Sequence, residues 1–163
     1  MFKISALLLT AFMLITSCAG TSGDKRTGTG KPKFASLEID GVSYFLTSEN
    51  GTFAKGKPLD LTLRMKNMSR TVKTFKIENN RFVILQINNE YGVTLKTYEI
   101  KASDYLKEPS FGIDPDEERI FTVTTAAGDG IFEENDRISC TVRLYFLQKT
   151  LRRNALSIYL DKK

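Results

Sequence analysis

From Phe34 onward the chain is written in short runs of alternating apolar and polar side chains. The clearest is "PLDLTLRMK", with Leu59, Leu61, Leu63 and Met65 on one face and Asp60, Thr62, Arg64 and Lys66 on the other. A period of two marks a strand with one buried face. Pro58 stands at its start, where a missing amide donor is tolerated. "SLEIDGVSYFL" places Asp40-Gly41 between two β-rich runs, the signature of a two-residue hairpin. "NMSRT" predicts a turn, and "VKTFKI" a return strand with Phe75 and Ile77 inward. "RFVILQI" is apolar at nearly every position and predicts a central strand covered on both sides.

After the "NNEYG" turn, "VTLKTYEI" sets Val93, Leu95, Thr97 and Glu99 against Thr94, Lys96, Tyr98 and Ile100. "KASDYLKEPSFGIDPDEE", with Pro109, Gly112 and Pro115, predicts a loop with one helical turn around 103–106. "RIFTVTT" is the next strand, followed by the turn-rich "AAGDGIFEEND". "RISCTVRLYFLQK" is a long strand with Ile138, Cys140, Val142, Leu144 and Phe146 on one side, and "NALSIYL" closes the domain. About eight short strands and no long amphipathic helix predict an all-β antiparallel sandwich over residues 34–163, with a small barrel as the alternative. "LTLRMKNMSRTVKTFKI" and the final "FLQKTLRRNALSIYL" resemble a turn and a last hairpin of immunoglobulin-like bacterial domains, including proteinase-inhibitor-like ones. That resemblance implies the sandwich architecture, not an activity.

The first residues obey a different pattern. Lys3 gives a short positive region, Ile4 to Ile15 is almost wholly apolar, and Thr16-Ser17-Cys18 follows. The apolar stretch is too short for a stable bilayer span and fits the central region of a signal peptide. Ile15-Thr16-Ser17-Cys18 resembles a bacterial lipobox. The resemblance implies diacylglycerol on the Cys18 thiol, cleavage before Cys18, and acylation of the new amino terminus. Two or three acyl chains hold a protein on a membrane where one holds it only marginally. Ala19 after the cysteine resembles an outer-membrane address in the sorting rules of some bacteria. Residues 1–17 are therefore expected to be a leader, and 18–33 a flexible tether rich in Gly, Thr, Ser and Lys. "RTGTGKPK" in that tether lacks the spacing of a phosphate-binding loop.

Composition narrows the chemistry. The 163 residues include no histidine and no tryptophan, so Ser-His-Asp and Cys-His sites cannot form within the chain. The formal charge is +5, or +4 once Lys3 leaves with the leader, and charges of both signs are interspersed. A solvated surface follows, with weak attraction to anionic lipid as the alternative. With Cys18 acylated, Cys140 is left as a buried thiol without a partner. Asn67-Met68-Ser69 matches a glycosylation sequon that a bacterial lipobox makes accidental.

Two acidic loops suggest a hard cation: Asp114, Asp116 and Glu117 in "DPDEE", and Asp129 and Glu133 in "GDGIFEEND". Their convergence at one end of the sandwich would make a weak calcium site. Charged turns are the plainer reading, and no metal or other cofactor is expected. Paired carboxylates could serve a glycosidase, but a domain this small rarely holds the cleft. Tyr91, Tyr98, Tyr105 and Phe111 lie in or beside turns, as interface anchors or as covers for the sandwich ends. Lys149, Arg152, Arg153, Lys162 and Lys163 form a small basic end without the density of a nucleic-acid site. The sequence reads as a non-enzymatic, lipid-anchored envelope module that binds a protein partner. The alternatives are a proteinase inhibitor using a loop over 103–114, and a calcium or small-ligand carrier.

Overall fold

The structure, a computed structural model, describes residues 33–125, 134–147 and 154–163. The expected leader and nearly all of the tether, Cys18 included, lie outside them. The elements are β1 (Lys33–Ile39), β2 (Val42–Ser48), β3 (Thr52–Phe53), β4 (Asp60–Asn67), β5 (Lys73–Lys76) and β6 (Arg81–Asn89). They continue with β7 (Thr94–Lys101), a 3₁₀ turn (Ala102–Asp104), β8 (Ser110–Ile113), β9 (Glu118–Thr124), β10 (Arg137–Leu144) and β11 (Ala155–Lys162). One sheet has the order β1-β2-β4-β9, a second β3-β11-β10-β6-β7, and a third is the β5-β8 pair. The domain is an all-β, immunoglobulin-like sandwich.

The alternation in the sequence becomes the core directly. Tyr44 and Leu46 of β2, Leu61, Leu63 and Met65 of β4, and Val123 of β9 are fully buried. Leu85 and Ile87 of β6, Ile138, Cys140 and Val142 of β10, and Leu160 of β11 are equally hidden and belong to the same core. Asp40 and Gly41 have φ of 51° and 76°, the double left-handed turn that joins twisted strands without splaying them. Ile39 pairs with Val42 across it.

Three expectations change. β6 is central in its sheet, between β10 and β7, but it is not covered on both sides: Ile84 and Gln86 of its outer face are half-buried. Its apolar density has another cause. A register shift between Arg81 and Val83 turns Phe82 inward as well as Val83, so two consecutive side chains enter the core. A second shift, at Ile87/Asn88, breaks the alternation of β7, so Leu95, Tyr98 and Ile100 are the half-buried positions. The loop expected over 101–118 contains the short helical turn, but also β8, which pairs with β5 through Phe75↔Phe111.

The strand count exceeds the expected one because the short β3 and β8 were not foreseen, and β3 pairs with β11 in parallel. At one end, called proximal here, β1 begins and β2, β9 and β11 finish. Lys33 of β1 donates to Asp161 of β11 at 2.8 Å there, linking the two large sheets. At the opposite, distal end lie the β1–β2 hairpin and an aromatic cluster. Phe82 stacks on Phe146 at 5.1 Å and meets Phe121 edge-on at 4.8 Å, while Phe75 stacks on Phe111 at 4.9 Å. Rings from all three sheets therefore share one packed end, in the offset and edge-to-face arrangements that aromatic quadrupoles favour.

Candidate functional site

The described acidic residues lie at opposite ends of the domain. Asp114, Asp116 and Glu117 precede β9 at the distal end, whereas the chain leaving β9 and entering β10 is at the proximal end. β9 separates Asp114, Asp116 and Glu117 from the described Glu134 and Asp136 by its whole length. Glu134 and Asp136 are on the far side, and Asp129 and Glu133 lie outside the described residues. Glu117 serves its own turn: one carboxylate oxygen accepts from the Asp114 amide at 2.7 Å, and the other from Arg119 Nε at 3.1 Å. Among the described residues, no three His, Cys, Asp or Glu side chains come together to hold a metal.

The segment 103–114 folds back on the body instead of projecting. Asn80 accepts from the Ser103 amide at 2.9 Å, and Tyr105 donates its hydroxyl to the Thr122 carbonyl at 2.6 Å. Phe111 and Ile113 are buried, so Phe111 is a core residue and not a surface anchor. Tyr98 lies within β7, half-buried, not at a turn. Tyr91 is the most exposed of the four, at 82%, and Tyr105 is partly open at 36%. Lys162 is the last residue of β11, and both Lys162 and Lys163 lie at the proximal end; Lys149, Arg152 and Arg153 lie outside the described residues.

Cys140 is the buried free thiol the sequence predicts, and burial pushes its pKa from 9.0 up to about 12. Tyr44, wholly buried, has its hydroxyl pushed upward by burial first and by the Asp40 charge second. Neither is placed or poised to react.

Asn67 is fully buried at the end of β4. Its amide nitrogen donates to the Thr71 and Ile113 carbonyls at 2.8 and 2.9 Å. Its side-chain oxygen accepts from the Ser69 amide and hydroxyl at 2.9 and 2.7 Å. The backbone adds Asn67 N–H to Glu117 O and Asp116 N–H to Asn67 O. The sequon asparagine is thus a structural tie among three turns, and in the folded state it is out of reach of a glycosylating enzyme.

The arrangement left to do chemistry is that of strand edges, with unpaired backbone donors and acceptors. β1 is tied to β11 through Lys33 and Asp161. A carbonyl of β9 is occupied by Tyr105. β3 has two residues. β7 is an eight-residue strand with a neighbour, β6, on one side only. Its outer side chains are charged and polar: Glu99 pairs with Arg81 at 2.6 Å, and Lys96 lies over the Tyr98 ring. The edge was invisible in the sequence because strand order is a property of the topology, not of any one run.

No protein-family model matches the chain, and no curated protein matches it. Solved structures are similar to it at low identity. The C-terminal domain of wzt has a TM-score of 0.44 at 12% identity, over 78% of this chain and 77% of that one. A CARDB domain from Pyrococcus furiosus, solved with di-metal ions, has a TM-score of 0.39 at 10% identity, over 83% of this chain and 97% of that one.

Proposed function

We propose that the protein is a lipid-anchored envelope module, held by Cys18, that binds a protein partner by strand addition at β7 and catalyses no reaction. The exposed edge of β7 carries the reading: a partner strand laid there would extend the five-stranded sheet, with main-chain hydrogen bonds giving affinity and alternate side chains giving selectivity. The missing histidines and the absence of gathered carboxylates among the described residues support a binding role over an enzymatic one. The inhibitor alternative needs a projecting loop, and the segment 103–114 is packed down.

Photo-crosslinking side chains placed at Thr97 or Glu99 of β7, and at Thr122 of β9, test the edge in intact envelopes. A discrete adduct from β7 and none from β9 is expected. Equal adducts from both strands would overturn the assignment. Anchoring is tested apart from this: Cys18→Ser abolishes fatty-acid labelling, and persistent labelling rejects Cys18 as acceptor. Excess calcium leaves the melting temperature unchanged on this reading.

A further inference from the structure

We propose that the proximal end of the sandwich is a bilayer-contact face, with Phe34 and the Tyr91–Val93 turn seated at the lipid interface; this rests on the anchored reading above. Three observations converge. Among the described residues, the three most exposed large apolar side chains, Tyr91 at 82%, Phe34 at 72% and Val93 at 59%, all lie at this end. They come from separate segments: Phe34 from the start of β1 beside β11, the other two from the β6–β7 turn at the opposite border of the second sheet. They form two contact points at opposite corners of one end, not a single patch.

The turn is built to hold its ring outward. Asn89 Oδ1 accepts from the Tyr91 amide at 3.0 Å and the Val93 amide at 2.9 Å. The Asn89 backbone closes on Val93 O and Gly92 N–H, and Gly92 takes φ of 81°. An exposed aromatic on a turn so firmly bracketed loses little conformational freedom on binding. Aromatic rings with a polar tip are suited to the boundary between headgroups and acyl chains.

The occupant follows from the chain's path. Residues 18–32 join β1 at this end, so Cys18 is only fifteen residues along the chain from Lys33. A lipid on Cys18 therefore keeps the proximal end nearest the bilayer. The distal end also exposes Met68 and Val72, at 55% and 56%, but it is a strand's length farther from the attachment. Charge does not choose the lipid: Lys33 and Arg137 both pair with Asp161, leaving a mixed surface. Contact is expected with zwitterionic headgroups.

The chain has no tryptophan, so an introduced one reports a single position. The Cys18–Lys163 form is coupled through the Cys18 thiol to maleimide lipid in phosphatidylcholine vesicles; Cys140, buried and protonated, does not compete. Tyr91→Trp, Phe34→Trp and Val72→Trp are compared with and without brominated acyl chains. A blue shift and loss of most emission at positions 91 and 34, with position 72 unaffected, is the expected result. No quenching at 91 and 34, equal quenching at all three, or quenching at 72 alone overturns the proposal. A blue shift at 91 without quenching also overturns it, since the ring is then covered by protein. The chemical coupling replaces the biological anchor, so failure of Cys18 acylation in cells leaves this outcome readable on its own.

Discussion

At the scale of single residues, the buried polar groups carry most of the specificity. Asn67→Ala removes two donors and one acceptor at once and strands the Ile113 carbonyl. A loss of roughly 2–4 kcal/mol in urea unfolding is expected, since each unsatisfied buried partner costs about 1–3 kcal/mol. Expression in a glycosylating host should leave Asn67 unmodified in folded protein, as read by intact mass. Cys140 sets an alkaline limit. Its folded pKa lies above its ordinary value of 9.0, so the folded state holds the proton more tightly. Its contribution is complete below pH 9 and is lost as pH rises toward about 12. Tyr44 acts in the same direction at higher pH. Urea midpoints should fall steadily from pH 8 to pH 11, and Cys140→Ala should flatten the early part of the decline. The sequence foretold the buried thiol from its place in an alternating strand. It could not foretell the full role of Asn67: Ser69 and Thr71 are its neighbours in the chain, but the Ile113 carbonyl and the Asp116–Glu117 backbone meet it only through the topology.

At the scale of elements, turn chemistry and bulges decide register. Gly41 and Gly92 both have positive φ, but their surroundings differ. A Cβ on Gly41 would meet Ser69 Cβ at 3.0 Å, while one on Gly92 meets nothing within 4 Å. Gly92→Ala should cost only its backbone strain, on the order of 1 kcal/mol. Gly41→Ala should cost clearly more, because the neighbouring Asn67–Ser69 turn must shift. Parallel chemical denaturation of the two variants measures the difference. Where strands alternate cleanly the sequence predicted the inward face, and in β4 the span as well; the strand expected over 137–149 ends at Leu144, and Phe146 enters the core from the turn beyond β10. Where a bulge intervenes it could not, for the extra residue at Phe82 resembles a strand buried on both faces. β8 was hidden in the same way: Pro109, Gly112 and Pro115 read as loop, although Phe111 and Ile113 already alternate around the glycine.

At the scale of the whole molecule, Phe82 is the shared contact. It touches Tyr105, Phe111, Phe121 and Phe146, from both large sheets, the small one and the turn between them. Phe82→Ala should cost about 3–5 kcal/mol, as expected for emptying a large core position. It should also keep a single unfolding transition by both fluorescence and circular dichroism. The fold class was legible because many short amphipathic strands have few ways to hide their apolar faces. The candidate surfaces were not, since Phe34, Tyr91 and Val93 are brought to one end only by how the sheets are ordered.

The position of β11 governs how this molecule is made. It lies between β3 and β10 and joins Asp161 to Lys33, yet it is synthesised after the ten other strands. A ribosome-bound chain that has not reached Ala155 leaves β3 stranded, β10 half-paired and the interior open to water. Such a nascent polypeptide stays open and protease-sensitive. Completion comes only when the closing strand arrives and zips the body shut.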